Sequence, residues 1–296
     1  MSARPIGPGS VLRLVAPSGP FDGEEFAAGV AFLRERYEVR HRPDILDREG
    51  YLAGCDERRR AELDEALSDP DAAAIVAARG GYGATRLLSE IDLESVRQAA
   101  VPLVGFSDVT ALHALWRRAG VPSVHGSMVA ALGRAAERER ARWVEVLEGV
   151  SPTLAGLECW SEGVAEGPLV GGNLAVLGAL VGTPHAPPLA GAILLLEDVG
   201  ERPFRMDRVL TSMHQAGWFD ELAAVALGGL ERCHPGPDTV APQQVLRERL
   251  EELAIPVVAG LPVGHGETNE SLWLGRRHRV DADAGTLAPV EGPVGC

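Results

Sequence analysis

The sequence predicts an α/β protein built on a parallel β-sheet. Two observations predict this class: short apolar runs alternate with amphipathic stretches, and several runs end directly in glycine or polar residues. Because parallel strands need right-handed crossover connections, the alternation favours a sheet with helices packed on it. With 296 residues, 46% of them apolar, the chain is long enough for one large domain or two modest ones.

The elements of the first half follow from these runs. Strands are predicted over 11–16, 39–41, 72–77 and 101–106, and helices over 24–37, 57–67, 84–88 and 111–119. The highly charged helix over 57–67 is expected at the surface.

The second half is less regular. Strands are predicted over 192–196, 222–230 and 257–258, helices over 205–215 and 243–253, and antiparallel strands within 272–287. The charged run 134–142 is expected to be a solvated helix, and the sequence after it has no clear period. We interpret 134–166 as the connection between a domain of residues 1–133 and a domain of residues 167–296.

Composition excludes several classes of function. The formal charge is −14, from 42 acidic and 28 basic residues, and every basic residue is arginine. No lysine is therefore available as a nucleophile, base or Schiff-base partner. An acidic chain without a basic block disfavours nucleic acid and anionic membranes as partners.

The cysteine and histidine positions predict neither a metal nor a cofactor. The four cysteines are scattered without a CxxC pair, which fits reduced thiols and neither a zinc site nor a disulfide framework; they are Cys55, Cys159, Cys233 and Cys296. The histidines lack ligand spacing. With no signal peptide and no membrane-length apolar run, a cytoplasmic location is expected.

The run 101–110 is the most informative segment. An apolar strand reaches Gly105, then Ser107, and an apolar-periodic helix starts at once. This places a hydroxyl at the C-terminal edge of the sheet and leaves the Asp108 N–H able to point at an anion. Ser107 is therefore a candidate nucleophile. Its alternative role is that of an ordinary helix N-cap.

A serine nucleophile needs a base, and the base needs a carboxylate to orient it. Glu197 ends the run 192–196, and His265 lies between two glycines after an apolar segment. The order Ser–Glu–His is one of several that give the same catalytic geometry. The alternative roles of Glu197 are a solvated strand end or a carboxylate at the start of a helix.

The loop 79–83, Arg-Gly-Gly-Tyr-Gly, follows a predicted strand directly. It fits neither of the common phosphate-binding glycine patterns. Its bare backbone N–H groups are suited to an oxyanion, which the Asp108 N–H would also bind. A tight glycine turn is the alternative.

Eight segments together identify a resemblance that covers essentially the whole chain. They are 15–20 (VAPSGP), 50–54 (GYLAG), 78–88 (ARGGYGATRLL), 104–110 (VGFSDVT), 125–126 (HG), 171–174 (GGNL), 196–207 (LEDVGERPFRMD) and 261–266 (LPVGHG). In this order they resemble the LD-carboxypeptidases of peptidase family S66, serine peptidases that trim muropeptides and whose relatives include the microcin C immunity hydrolases.

The resemblance implies a catalytic triad of Ser107, Glu197 and His265, with an oxyanion hole from the backbone of Gly81 and Asp108. It also implies a doubly wound, Rossmann- or flavodoxin-like N-terminal domain, a smaller C-terminal α/β domain and a homodimer. The implied activity is release of terminal D-alanine from murein tetrapeptides during cell-wall recycling, without a cofactor.

A carboxypeptidase must also recognise the free carboxylate of its substrate. With no lysine in the chain, a backbone nest or an arginine must do so. Candidates for substrate binding by their position near the motifs are Arg79, Gly80, Tyr82, His125 and Arg202. Arg86 is expected to pair with a nearby acid instead.

Two other functions remain open at this level. One is hydrolysis of peptidyl or aminoacyl nucleotides by the same mechanism, in which Trp160 stacks on a nucleobase rather than covering a domain seam. The other is a non-catalytic protein that binds a small peptide, with Ser107 only an N-cap.

Overall fold

The computed structural model describes residues 5–237 and 239–290 and divides the chain into two compact units. Unit 1 comprises 5–150 with 271–273, and unit 2 comprises 151–270 with 274–290, apart from residue 238. Three cysteines are free thiols, and Cys296 lies outside the described residues. No helix in these ranges is both long and apolar enough to cross a membrane.

The strands occur in both units and are numbered along the chain. They are β1 Val11–Val15, β2 Glu38–Arg40, β3 Ala72–Ala77, β4 Leu103–Gly105, β5 Ser123–His125, β6 Leu154–Ala155, β7 Glu158–Ser161, β8 Val164–Asn173, β9 Ile193–Val199, β10 Ala224–Glu231, β11 Val257–Ala259, β12 Leu272–Leu274, β13 Arg277–Asp281 and β14 Thr286–Pro289.

The α-helices alternate with the strands in both units. They are α1 Gly23–Arg34, α2 Asp56–Ser68, α3 Ala84–Leu87, α4 Leu93–Ala99, α5 Thr110–Ala119, α6 Val129–Leu132, α7 Glu137–Leu147, α8 Leu174–Leu180, α9 Pro203–Gln215 and α10 Pro242–Glu251.

The sheet of unit 1 has the order β12-β5-β4-β3-β1-β2, and the pairs from β2 to β5 are parallel. The order 2-1-3-4-5 is flavodoxin-like, which confirms the predicted doubly wound fold. Strand order reverses between β1 and β3, where this class of fold binds ligands beyond the carboxyl ends of the strands. The loops after β1, β3 and β4 therefore form the expected functional edge of this unit.

The sheet of unit 2 is mixed. Its order is β6-β14-β13-β8-β9-β10-β11-β7, with parallel pairs from β8 to β11 and antiparallel pairs on both flanks. The predicted strands over 192–196 and 222–230 are β9 and β10, and the predicted antiparallel strands of the tail are β13 and β14. The aperiodic stretch after residue 150 is not featureless, because β6, β7 and part of β8 lie before residue 166.

Helix α2 is the clearest departure from expectation. Its charge predicts a surface position, but Arg58, Arg59 and Glu62 are buried. Arg58 donates two hydrogen bonds to the Glu62 carboxylate, which also accepts the Ala16 N–H at 2.6 Å. Buried charges are tolerated when they are paired in this way. Desolvation still raises the pKa of Glu62 to about 7.

Candidate active site

Ser107 lies at a strained turn between β4 and α5. A single 3₁₀ turn, Ser107–Val109, connects the strand to the helix, as the sequence predicts. Ser107 has φ +62°, a left-handed backbone conformation that residues other than glycine adopt only with strain. This sharp strand-to-helix turn with a strained serine is the backbone geometry of a nucleophile elbow.

The glycine loop after β3 lies directly against Ser107. A methyl group added to Gly80 would lie 3.0 Å from Cβ of Ser107 and 3.1 Å from its Oγ. Gly81 and Gly83 have φ +112° and +134°, conformations that glycine alone adopts readily. Across the described ranges, the N–H groups of Gly81 and Asp108 have no protein acceptor.

The Asp108 side chain connects the serine turn to the glycine loop. Its buried carboxylate accepts the Ala84 N–H at 2.8 Å, at the start of α3. Burial raises the pKa of Asp108, while the Ala84 hydrogen bond and the charge of Arg59 oppose the increase. The sequence predicts only the Asp108 backbone as functional, because nothing in the motif indicates where this side chain points.

Arg59 of α2 stabilises the same loop from beneath. The side chain is fully buried, and its Nη1 donates to the carbonyl oxygens of Pro17 and Gly83, the latter at 2.9 Å. Its Nη2 is paired with Asp56. Arg59 therefore joins the loop after β1 to the loop after β3, a role that the amphipathic pattern of α2 does not reveal.

In unit 2, Glu197 and His265 form a direct pair. Glu197, near the end of β9, is fully buried, and its Oε2 accepts a 2.7 Å hydrogen bond from Nδ1–H of His265. Gly264 has φ +118°, and a methyl group on it would lie 2.7 Å from Oε2 of Glu197. The glycine before His265 is thus required both by its dihedral angle and by the close carboxylate.

Asn269 holds this histidine turn, and no sequence motif singles it out. Its Oδ1 accepts the Gly264 N–H at 2.9 Å in a buried setting. Asp198, next to Glu197, accepts hydrogen bonds from the Asn173 side chain and from the N–H groups of Ala175 and Val199. Burial raises the pKa of Asp198 to about 6, and the negative charge of Glu197 adds to the effect.

The two histidines of unit 1 near the sheet edge are interior residues. His125 is fully buried at the end of β5, with its ring centroid 5.6 Å from that of Phe106. Nε2–H of His113 donates to the Gly105 carbonyl at 2.8 Å, and burial lowers the pKa of His113 to about 4. His113 is therefore neutral near pH 7, and His125 reaches no solvent in this structure.

The remaining candidates lie at the surface of their units. Tyr82 is half-exposed, and its ring centroid lies 5.8 Å from that of Tyr51. Arg79 is exposed, whereas Arg86 is paired with Asp56 as predicted. Arg202, in unit 2, donates to the Pro235 carbonyl at 3.2 Å.

Trp160, a candidate for stacking on a base, has a partner within unit 2. The guanidinium carbon of Arg247 lies 5.0 Å from its ring centroid, and its indole N–H donates to Glu158. One face of the indole is thus already occupied by an arginine.

Solved structures share this fold. The muramoyltetrapeptide carboxypeptidase of Oxalobacter formigenes superposes with a TM-score of 0.84 at 29% identity, covering 96% of this chain and 99% of that one. The microcin C7 immunity protein MccF, in complex with glutamyl sulfamoyl guanosine, gives 0.88 at 21% identity and covers 98% of each chain, which establishes the fold alone.

Sequence relatives lead to the same group. A putative carboxypeptidase of Streptomyces coelicolor is 40% identical over 98% of this chain and 96% of its own, and the murein tetrapeptide carboxypeptidase of Pseudomonas aeruginosa is 34% identical over 76% and 78%. The profile of the LD-carboxypeptidase N-terminal domain matches residues 12–126, and that of the C-terminal domain matches residues 166–280. The chain therefore belongs to the LD-carboxypeptidase family.

Proposed function

We propose that this chain is a serine LD-carboxypeptidase that releases terminal D-alanine from murein tetrapeptides. The observation that carries the proposal is the strained Ser107, held against the glycine loop whose Gly81 N–H has no protein acceptor among the described residues. The muropeptide as substrate is supported by the names of the Pseudomonas and Oxalobacter relatives.

In the first step, Oγ of Ser107 attacks the carbonyl carbon that precedes D-alanine, and its proton passes to Nε2 of His265. Glu197 accepts the hydrogen bond from Nδ1–H, which fixes the tautomer and stabilises the imidazolium that forms. The carbonyl oxygen becomes an oxyanion, to which the N–H groups of Gly81 and Asp108 donate. Each such donor lowers the barrier by about 3 kcal/mol.

In the second step, the C–N bond breaks as His265 returns the proton to the leaving amine of D-alanine. Water then attacks the carbonyl carbon of the acyl-enzyme ester and loses a proton to His265. The ester C–O bond breaks, the tripeptide leaves with a new carboxylate, and His265 gives that proton to Oγ of Ser107. Each proton taken up by His265 is given back, so the enzyme is regenerated without a cofactor.

Hydrolysis of aminoacyl nucleotides is the second candidate. It is supported by the 24% identity to the microcin C7 immunity protein of Escherichia coli over 98% of this chain. The same nucleophile, base and oxyanion donors would serve this reaction. The Arg247 guanidinium over Trp160 gives that tryptophan a different partner, so a base-stacking role for it has less support.

Mass spectrometry tests the two substrates side by side. Wild-type protein and Ser107→Ala are each incubated with L-Ala-γ-D-Glu-meso-diaminopimelate-D-Ala and, separately, with an aminoacyl sulfamoyl adenosine. We expect D-alanine release by the wild type, and a fall in rate of at least about 10³-fold in Ser107→Ala. A serine-directed phosphonate should label the wild type and not the variant.

Each contrary outcome has a definite meaning. Turnover of the nucleotide conjugate alone would select the second candidate. Unchanged D-alanine release by Ser107→Ala would remove Ser107 as the nucleophile. No turnover of either substrate and no phosphonate labelling would favour a protein that only binds peptide.

A further inference from the structure

The proposed reaction leaves open which group binds the terminal carboxylate of the peptide. In a C-terminal D-alanine that carboxylate carbon is three bonds from the scissile carbonyl carbon, so the two lie within about 4 Å of each other. A cation that recognises the carboxylate must consequently lie beside the loop that binds the oxyanion. In unit 1, the side chains that meet this requirement are those that contact the loop 79–83.

The Arg79 guanidinium lies over that loop. Its Nη1 donates to the Pro20 carbonyl at 2.9 Å. A methyl group on Gly19 would lie 3.2 Å from this Nη1, and one on Gly81 would lie 3.3 Å from it. The positive charge is thus a few ångströms from the backbone of Gly81, one of the two proposed oxyanion donors.

The charge of Arg79 is available to a ligand, whereas those of its neighbours are not. Arg86 donates three hydrogen bonds to Asp56, and Arg59 is fully buried on two carbonyl oxygens and Asp56. Among residues 5–237 and 239–290, no carboxylate lies within ion-pair distance of Arg79, and its side chain is exposed. An arginine held by one carbonyl retains donors for a two-pronged contact with a carboxylate.

An exposed aromatic pair accompanies this arginine. Tyr51 and Tyr82 are 66% and 47% exposed, although their rings are in contact with each other. A methyl group placed on Gly19 would lie 3.2 Å from Nη1 of Arg79 and 3.4 Å from the Tyr51 carbonyl oxygen. The backbone of Tyr51 is therefore close to the Arg79 guanidinium. Tyr82 is three residues after Arg79 in the same loop, and exposed aromatic rings in this position are suited to exclude water from a carboxylate bound at the loop.

We propose that Arg79 binds the terminal α-carboxylate of the substrate, with the Tyr51–Tyr82 pair as the wall of this subsite. The inference rests on the proposed function, because it assigns the substrate a free C-terminus at Ser107. If the assignment is right, the enzyme binds a peptide with a free C-terminal carboxylate more tightly than the same peptide with a C-terminal amide, and this preference depends on Arg79.

Peptide affinities measured in a variant without turnover test this preference. In a Ser107→Ala background, calorimetry compares the tetrapeptide acid with its C-terminal amide. The same comparison is made after adding Arg79→Gln, Arg79→Lys or, as the control, Arg97→Gln on α4, an exposed arginine paired with Glu94. Circular dichroism and thermal unfolding check that each variant is folded.

We expect the parent to bind the acid about 10- to 100-fold more tightly than the amide, as for a charge-assisted contact. Arg79→Gln should reduce this preference to less than about threefold, Arg79→Lys should restore part of it, and Arg97→Gln should leave it unchanged. Tyr82→Ala should weaken the binding of both peptides, whereas Tyr82→Phe should not, because the ring and not the hydroxyl group forms the wall of the subsite.

Three results would overturn the proposal: equal affinity of the parent for acid and amide, a preference that survives Arg79→Gln, or no binding of either peptide. Failure of the proposed function is read separately, as absence of D-alanine release by wild-type protein. A folded Arg79→Gln that keeps the acid preference while the wild type releases D-alanine would reject the subsite and leave the activity intact.

Discussion

Gly80 and Ser107 are packed so closely that there is no room for a side chain between them. A methyl group on Gly80 would lie 3.0 Å from Cβ of Ser107, a distance at which one of the two must move. Gly80 is thus required by the position of Ser107, the proposed nucleophile, and not by a turn, since its φ is not among the positive values.

Gly80→Ala should therefore impair catalysis more than folding. Displacing Ser107 or the oxyanion loop by a few tenths of an ångström up to 1 Å is expected to reduce kcat by up to about 10²-fold. The measurement is kcat for D-alanine release together with the thermal unfolding midpoint.

Gly7→Ala is the matched control, because no atom lies within 4 Å of the added methyl group. It should leave kcat unchanged. If Gly80→Ala also kept full activity, the close contact with Ser107 would have no part in positioning the nucleophile.

The backbone strain at Ser107 predicts an unusual order of stability between two variants that lack its hydroxyl group. Ala is normally at least as stabilising as Gly, because Gly loses more conformational freedom on folding. At φ +62° the order should reverse, so that Ser107→Gly has a free energy of unfolding about 1 kcal/mol higher than Ser107→Ala. Urea unfolding of both variants measures this difference, and an Ala variant equal to or more stable than the Gly variant would show that the turn is unstrained.

The sequence predicted those parts of the site that depend on order along the chain. A polar residue that ends an apolar run lies at or near the carboxyl end of a strand, which is why Ser107, two residues after β4, and Glu197, within the last part of β9, could be singled out. The glycines around His265 likewise indicated an unusual backbone, and Gly264 has φ +118°.

The supporting residues could not be predicted in the same way. Asp108, Arg59 and Asn269 act through contacts with residues 5 to 42 positions away in the chain, and a linear pattern does not encode such contacts. Charge was misleading for α2, since Arg59 is a surface residue by composition but is buried because carbonyl oxygens satisfy its donors. Strands β6 and β7 could not be predicted, because such short, half-exposed strands lack a long apolar run.

Arg59 should matter for stability as well as activity. Arg59→Met would leave the Pro17 carbonyl without its buried donor, and such an unsatisfied group costs about 1–3 kcal/mol; the Gly83 carbonyl would lose a charged donor and keep only the Arg86 N–H. We expect the free energy of unfolding to fall by about 2–4 kcal/mol, and kcat to fall in the protein that remains folded, because Gly83 ends the loop that we propose to bind the oxyanion.

Arg60→Gln on the same helix serves as the control for Arg59, since its side chain is 42% exposed and its ion pair is at the surface. Its effect on unfolding should stay within about 0.5 kcal/mol. Equal effects of the two variants would mean that the contacts of Arg59 do not stabilise the loops.

Glu197→Gln tests the carboxylate behind the proposed base. Gln has nearly the same shape, but its neutral amide no longer stabilises the imidazolium formed at His265, and if its N–H₂ faces Nδ1 the wrong tautomer is favoured. We expect kcat to fall about 10²- to 10⁴-fold with KM nearly unchanged.

Glu201→Gln is the control, because Glu201 lies four residues later and is paired with Arg205. It should keep kcat within about twofold, and it measures the effect of removing a negative charge from this segment. A Glu197→Gln variant with wild-type kcat would exclude the triad.

Asp198 makes the stability of the protein depend on pH with a defined sign. Because burial raises its pKa from 3.8 to about 6, the folded protein retains this proton where the unfolded chain has lost it. The stabilisation from Asp198 is therefore complete below about pH 4 and is lost as the pH rises through about 6, by about 1.4 kcal/mol for each unit of pKa change. Asp198→Asn cannot ionise, so the wild-type free energy of unfolding minus that of the variant should fall between about pH 4 and 6 and level off above about 7.

Urea unfolding across this range measures the difference, and the same series with Glu221→Gln, an exposed carboxylate of unit 2, shows what a surface group contributes. A difference that rises with pH would mean that the hydrogen bonds from Asn173, Ala175 and Val199 outweigh desolvation and hold the carboxylate in its charged form.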